Sequence, residues 1–255
     1  MSEKIRHFLE LLWGMTEKEL RARYKHTIFG FLWVFINPLI QMLIIGFIFP
    51  LFIKEPIEHY NLYLFTGLLT WNFFSLSLSK TTPSIVFERS LIKKARFPHA
   101  VIPLSIILSN TINLMLAFLL ILPPSMFLHV FSITRLTYGI IGLVMLLGFT
   151  TGLSLLTAAL DVRYRDVNFF VQAILIVWFY VTPIVYSIYS VPRHMIWIWR
   201  LNPMTAPVQF FQHAFVNFPA PGVAMISVNT AIIIFVLIMG ILIFQKESKY
   251  FDDWL

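Results

Sequence analysis

The sequence predicts an all-α integral membrane protein, with six transmembrane helices that form a single domain over residues 1–255. Three observations predict this fold: hydrophobic residues make up 58% of the chain, charged residues make up only 12%, and six long apolar segments contain no Asp, Glu, Lys or Arg. Soluble domains are about 45–50% apolar and about 25% charged. The composition therefore disfavours soluble enzymes and nucleic-acid-binding proteins.

Each of the six apolar segments has the length of about 20 residues that a transmembrane helix needs. They lie at residues 30–52, 60–79, 98–122, 136–160, 167–189 and 223–244. Lys and Arg are enriched in the cytoplasmic loops of membrane proteins. Of the 19 Lys and Arg residues, fifteen lie on one side of the predicted membrane: before the first segment, between the second and third, between the fourth and fifth, and after the last. Both termini are therefore predicted to be cytoplasmic, and topology accounts for the net charge of +7.

Residues 1–29 are predicted to form an amphipathic helix in the membrane interface. Apolar residues recur at i, i+3, i+4 and i+7 from Ile5, which is the spacing of one helical face. Lys18, Arg21 and Lys25 form a basic stripe on the same segment. Helices of this kind lie on a membrane rather than across it. The helix is either a topology anchor or a surface on which a cytoplasmic partner docks.

Residues 82–97 are predicted to form a capped basic helix between the second and third segments. Thr82 can serve as an N-cap, Pro83 suits the first helical position, and Pro98 ends the run. A plain loop would need no cap, so a helix that transmits force is favoured. The charged turn at residues 161–166 is either an ion-paired connection or a second contact for the same partner.

Residues 190–222 are long for an outside connection and rich in Pro, Trp and Phe. Irregular backbone at membrane depth has to be buried in protein or line a cavity. The segment is therefore predicted to form short re-entrant or interfacial helices before the last span.

The chain lacks the sequence patterns of membrane proteins that carry out chemistry themselves. It has no Cys, no Gly followed by Lys and no HExxH sequence, which excludes thiolate sites and a phosphate-binding loop of the Walker type. The absence of charged residues from the six segments argues against ion-coupled transport. The chain is therefore predicted not to be an enzyme and to hold no metal or cofactor, and the energy for any pumping must come from another polypeptide.

Neutral polar and aromatic side chains within the six segments have two interpretations. The polar groups form either interhelical hydrogen bonds, worth about 0.6–2 kcal/mol each, or the wall of a polar path. The aromatic rings either pack in the core and against lipid or stack on the apolar faces of sugar rings.

Seven short runs, in order along nearly the whole chain, resemble type 2 ABC exporter permeases of the polysaccharide class. These are the membrane subunits that export O-antigen, capsule and teichoic acid chains. The longest run is ELRARYKHTIFGFLWVFINP at residues 19–38. The others are SLIKKARFP (90–98), VIPLS (101–105), YRDV (164–167), WFYVTPI (178–184), LNP (201–203) and FDD (251–253).

The resemblance implies a permease domain in the bacterial cytoplasmic (inner) membrane that works as a homodimer. Two copies of a nucleotide-binding subunit would bind ATP and Mg and drive a lipid-linked polysaccharide through a channel at the dimer interface. Membrane lipid would surround the assembly, and no nucleic acid partner is implied. An exporter of drugs or lipids with the same architecture is the alternative. From a different class, the alternative is a structural or insertase-like membrane protein without a transport cycle.

The resemblance also implies roles for particular residues. The helix at 1–29 would clamp the nucleotide-binding subunit, 82–97 would be the coupling helix, and 190–222 would cap the pore. Coupling is expected at Glu88, Arg89, Ser90, Lys93, Lys94, Arg163 and Asp166. The interface helix is expected to act through Glu17, Arg21, Arg23, Tyr24 and Lys25. Its basic residues Arg21, Arg23 and Lys25 would attract either the phosphate of a lipid head group or simply anionic lipid. The glycan path, from the first, second and fifth spans, is expected to include Asn37, Gln41, Trp71, Asn72, Phe74, Tyr180 and Tyr186.

Overall fold

The computed structural model describes residues 3–25, 30–51, 57–94 and 97–254, and every regular element in these ranges is helical. The α-helices are α1 (Glu3–Tyr24), α2 (Trp33–Ile48), α3 (Tyr60–Thr81), α4 (Ser84–Phe87), α5 (Arg89–Lys94), α6 (Val101–Phe127), α7 (Leu136–Arg163), α8 (Asp166–Val181), α9 (Ile196–Leu201), α10 (Thr205–Val216), α11 (Val223–Glu247) and α12 (Phe251–Trp254).

Helices lie at all six positions where transmembrane segments are predicted. Four of them are long and apolar enough to cross a membrane: Trp33–Leu51 around α2, Val101–Phe127, Ile133–Arg163 around α7, and Val223–Tyr250 around α11. The other two are α3, which has 22 residues and carries polar side chains along its length, and α8, which has 16 residues. Within the described ranges, length and hydropathy alone thus support four spans.

The helix α8 is shorter than the predicted segment 167–189 and ends at Val181. Thr182 adopts an extended conformation with ψ of 133°, because the ring of the following Pro183 disfavours helical backbone at the residue before it. Sixteen residues rise about 24 Å, less than the about 30 Å of a hydrocarbon core. The helix α8 by itself is therefore too short to cross a hydrocarbon core.

The helix α3 lies at the centre of the fold, in contact with α2, α6, α7 and α10. Its Phe74 ring is fully buried, stacks on Phe149 of α7 at 5.4 Å between centroids, and meets the edge of Trp178 of α8 at 5.4 Å. Aromatic pairs of this geometry add about 0.5–1.5 kcal/mol each beyond their burial. This ring cluster joins three helices at one level of the bundle.

The predicted outside segment folds back into the bundle. Every side chain of α10 except His213 is buried, and the helix packs between α3 and α7. Asn202 fixes the approach to this helix, because its amide accepts from the Trp178 indole N–H at 2.8 Å and from the Met204 backbone N–H at 3.0 Å. The helix α10 thus fills core space in the bundle.

The helices α7 and α11 meet in close contact at Gly152 and Gly240. A Cβ atom on Gly240 would lie 2.0 Å from the carbonyl oxygen of Gly152, and a Cβ on Gly152 would lie 2.5 Å from the Cα of Leu237. Association of membrane helices depends on such close packing, because lipid tails are as apolar as the side chains that they replace. Glycine at both positions therefore determines how α7 and α11 approach.

A separate group of apolar side chains packs between the short helices α4 and α5 and the ends of the long helices. This basal cluster consists of Ile85, Ile92, Ile102, Leu155, Ala158, Ala159, Val162, Phe244 and Phe251. It joins the two short helices to the ends of α7 and α11, and Phe251 of α12 is fully buried within it. The two short helices therefore share one packed apolar core with the ends of α7 and α11.

Candidate functional site

The predicted coupling segment 82–97 contains two short helices rather than one. α4 and α5 meet at Glu88, whose φ of −90° and ψ of 19° depart from helical values. The predicted cap at Thr82 is wrong: its hydroxyl donates to the Leu78 carbonyl at 2.8 Å and to the Thr157 hydroxyl at 2.9 Å. The hydroxyl therefore joins α3 to α7, and α4 has no side-chain cap. Residues 95 and 96, near the end of the segment, lie outside the described residues.

The break at Glu88 creates an exposed surface with an aromatic centre. Phe87 is 78% exposed at the end of α4, although sequence reasoning did not select it. The coupling residues that follow are also exposed, namely Arg89, Ser90, Lys93 and Lys94. An isolated exposed Phe beside a group of cations is suited to an apolar pocket with an acidic rim. We call Phe87, Arg89, Ser90, Lys93 and Lys94 the coupling surface.

The helix α1 packs against α6 and is tied to the coupling segment. Lys18 donates from Nζ to Oε1 of Glu88 at 2.6 Å. Glu17 forms an ion pair with Arg21 along the helix, and both remain exposed with Lys25. The side chain of Tyr24 lies outside the described residues. The ion pair between Lys18 and Glu88 therefore joins the interface helix to the coupling segment.

Arg23 differs from the other basic residues of α1, because it points towards the bundle. Its guanidinium donates to the Asn110 side-chain oxygen on α6, and Asn110 in turn donates to the Ser77 hydroxyl on α3 at 2.9 Å. This chain of hydrogen bonds connects the end of α1 with two helices of the core.

The turn at residues 161–166 is held by one buried carboxylate and by stacking. Asp161 is buried and accepts a hydrogen bond from the Asn168 backbone N–H at 3.1 Å. The Arg163 guanidinium lies over the rings of Tyr164 and Trp254, at 5.2 and 5.5 Å from their centroids. Asp166 is exposed in the first turn of α8. Arg163 thus links this turn to α12.

Polar residues from three helices form a strip across α3. Asn72 donates to Gln41 of α2 at 3.2 Å, and Ser79, two turns further along α3, donates to Gln172 of α8 at 3.2 Å. Ser75 lies between these two contacts on the same face of α3, and Asn37 is exposed one turn before Gln41. We call Gln41, Asn72, Ser75, Ser79 and Gln172 the polar strip. It connects the three helices that correspond to the first, second and fifth predicted spans.

The aromatic residues expected along a glycan path occupy different environments. Trp71 and Phe74 are buried, and Phe74 has no surface available to a substrate in this protomer. Tyr180 is 65% exposed beside an opening of about 370 Å³ that Trp71, Ser75, Ser79 and Gln172 also line. Tyr186 is half-buried, donates to the Tyr180 carbonyl at 2.8 Å, and accepts from the indole N–H of Trp199. Tyr180 is therefore the exposed ring of this set.

Among the described residues, no group of three or more His, Asp or Glu side chains is placed to hold a metal ion. The features that the structure brings together are a coupling surface with an attached interface helix, and a polar strip that runs between helices.

Comparison with known proteins identifies the family. The model of the ABC-2 type transporter family matches residues 10–216. The chain is 32% identical to an O-antigen export system permease protein RfbA of Klebsiella pneumoniae, over 99% of this chain and 98% of that protein. It is 29% identical to the protein of the same name from Myxococcus xanthus, over 95% and 94% of the two chains.

Together with the apolar helices, these matches show a permease component located in the bacterial inner membrane as a multi-pass protein. The described elements cover most of the matched range, including α1, the coupling surface and the polar strip. The chain belongs to the ABC-2 type transporter family.

Proposed function

We propose that this chain is the membrane-spanning permease of an exporter that moves a lipid-linked polysaccharide of the O-antigen class out of the cytoplasm. Two copies form a homodimer, and the path for the glycan runs along the dimer interface. Two copies of a separate nucleotide-binding subunit bind ATP and Mg and supply the energy. Relatives named as O-antigen export permeases match nearly the full chain, which supports this substrate class.

The polar strip is the observation that carries the proposal. Amide and hydroxyl side chains that face lipid leave polar groups without a partner, which is unfavourable, whereas a glycan needs many hydrogen-bond partners. The contacts between Gln41 and Asn72 and between Ser79 and Gln172 hold these groups on one open face of α3. The neutral character of the strip suits a long polymer, because neutral groups exchange hydrogen bonds with hydroxyls and release them again.

The coupling surface accounts for the transfer of energy. In the proposed assembly, Phe87 enters an apolar pocket of the nucleotide-binding subunit, and Arg89, Lys93 and Lys94 meet acidic groups around it. Closure of the ATP-bound subunits then moves α4 and α5, and the basal cluster transmits this movement to α7 and α11. Packed helices respond as rigid bodies with discrete arrangements.

Six crossings and cytoplasmic termini complete the proposed topology. In this topology α3 is the second crossing and α8 is the fifth. Because α8 is short, residues 182–189 extend the fifth crossing towards the outer side, where α10 packs beside them. The positive-inside distribution of Lys and Arg supports this orientation. The buried helix α10 then closes the outer end of the bundle.

The experiment that tests the proposal is co-purification followed by ATPase measurement in lipid. The chain carries a tag and is expressed with the nucleotide-binding subunit encoded beside it. A stable complex whose ATP hydrolysis changes with lipid-linked glycan is the expected result. A complex that responds to drugs or simple lipids but not to glycan would contradict the polysaccharide substrate and favour the alternative exporter. The absence of any ATPase in the complex would contradict the transport mechanism as a whole.

A further inference from the structure

A cleft lined by both polar and apolar side chains lies within the protomer, on the side of α3 where α1, α2 and α6 meet. Its volume is about 340 Å³. Pockets for small ligands start at about 300 Å³, so this cleft has room for a head group but not for a polymer. Its polar lining residues are Arg23, Asn37, Asn72, Ser75, Ser79, Asn110 and Asn113.

Arg23 brings an incompletely satisfied positive charge into this cleft. One terminal nitrogen donates to Asn110, while the buried Nε has no hydrogen-bond partner. No carboxylate within the described residues forms an ion pair with Arg23. A guanidinium has five N–H donors in a fixed planar fork, and burial without an anion is costly for it. The arrangement leaves donors of Arg23 available to an anionic ligand.

Asn113 is a second polar group of the cleft that has no hydrogen-bond partner. It lies one turn beyond Asn110 on α6, lines the cleft, and is only 5% exposed. Neither its amide nitrogen nor its carbonyl oxygen has a hydrogen-bond partner. Buried side-chain amides in folded proteins are almost always paired. A ligand that accepts a hydrogen bond would satisfy the amide nitrogen of Asn113.

Arg23 is the one charged side chain among the described residues that line the cleft, so the charge of the lining is positive. Lys80 and Glu19 lie outside this lining. The cleft opens at its side, beside the exposed residues Trp33 and Leu76.

We propose that this cleft binds the phosphate of a lipid head group, with Arg23 as the charged ligand and Asn113 as the amide donor. Arginine binds phosphate through paired, charge-assisted hydrogen bonds, and Asn110 is held by Ser77 so that it orients the guanidinium. The lateral opening lets the hydrophobic tail stay in the membrane. The phosphate belongs either to the lipid carrier of the substrate, in which case the proposal rests on the proposed function, or to a phospholipid of the membrane, in which case it goes beyond that function.

Lipid retention by the purified full-length chain tests the site without any transport step. Native mass spectrometry measures binding of a polyprenyl phosphate, of the matching polyprenol without phosphate, and of phosphatidylglycerol as a competitor. We expect saturable binding of the polyprenyl phosphate over the polyprenol. Arg23→Gln should weaken it at least about tenfold, since a charge-assisted hydrogen bond is lost. Asn113→Leu should weaken it several-fold, and the control Arg6→Gln, which removes the same charge from the exposed part of α1, should not.

Each result has a defined meaning. Equal binding of polyprenol and polyprenyl phosphate overturns the proposal, as does an equal loss in Arg6→Gln and Arg23→Gln, because surface charge then explains the attraction. Strong competition by phosphatidylglycerol identifies a membrane phospholipid as the ligand, and weak competition identifies the lipid carrier of the substrate. If Arg23→Gln does not fold, Asn113→Leu and the polyprenol comparison still decide. Because no ATPase is involved, failure here is separate from failure of the proposed function.

Discussion

Lys18 and Glu88 are 70 residues apart in the sequence, yet Nζ of one lies 2.6 Å from Oε1 of the other. The pair connects the interface helix α1 to the break between α4 and α5. Two elements that both face the proposed nucleotide-binding subunit are thereby held in a defined relative position. The pair is only partly exposed on the Glu88 side, so it is less screened than an ordinary surface ion pair.

Exchange of charges should test whether this pair aligns the two elements. We expect Lys18→Glu and Glu88→Lys each to lower the amount of substrate exported per ATP hydrolysed, and the double exchange to restore it. Stability should change little, because Lys18 is half-exposed and exposed ion pairs contribute about 0.2–1 kcal/mol. The ratio of export to hydrolysis in reconstituted vesicles is the measurement. A double exchange no better than either single variant would show that the contact does not couple.

Phe87 should act as the apolar anchor of the coupling surface. We expect Phe87→Ala to weaken assembly with the nucleotide-binding subunit by roughly 30-fold, since a central aromatic anchor is worth about 2 kcal/mol or more. Phe127→Ala is the matched control, because Phe127 is 83% exposed at the C-terminal end of α6, away from the coupling surface. The affinity of the purified subunits is measured for both. Equal effects of the two substitutions would contradict the assignment.

The cations of the coupling surface should matter for coupling and not for insertion. We expect Arg89, Lys93 and Lys94, replaced together by Ala, to abolish most export while the chain still reaches the membrane. Lys246→Ala with Lys249→Ala is the control, since both lie exposed near the end of α11. Export and the membrane content of the chain are measured in parallel. Normal export by the triple variant would contradict the assignment of a coupling role to α5.

The contact between Gly152 and Gly240 should be intolerant of a single methyl group. Gly240→Ala places a Cβ at 2.0 Å from a carbonyl oxygen, so α7 and α11 have to separate at a cost of about 1–3 kcal/mol. Gly14→Ala in α1 meets nothing within 4 Å and should be neutral or stabilising by about 0.5–1 kcal/mol. Thermal unfolding of the detergent-solubilised variants separates the two expectations. Similar melting temperatures for both variants would argue against a close helix contact.

The polar strip should distinguish a glycan from a hydrophobic substrate. We expect Asn72→Leu to reduce glycan-dependent ATP hydrolysis about 10-fold, because Gln41 then has no partner and the path loses two hydrogen-bonding groups. Gln245→Leu, an exposed amide on α11, is the control. Hydrolysis is measured in lipid with and without the lipid-linked glycan. Unchanged stimulation in Asn72→Leu would place the glycan elsewhere.

Much of the candidate site follows from residue type and order. The coupling cations and the basic stripe of α1 are recognisable because charged residues in a membrane protein concentrate at the cytoplasmic side. Phe87 is not recognisable in this way, since its exposure depends on the break at Glu88. Phe74 shows the opposite case: an aromatic residue of the second span is equally suited to a sugar-binding wall and to a core. Its contacts with Phe149 and Trp178 are what place it in the core.

Hydropathy and residue order are sufficient to locate the long helices, because the bilayer requires about 20 apolar residues in a row for each crossing. They are also sufficient to predict that α1 lies outside the membrane core. The pairing of Arg23 with Asn110, of Lys18 with Glu88 and of Gln41 with Asn72 depends on how the helices pack. Such contacts join residues far apart in the chain, and local periodicity carries no information about which helical faces meet.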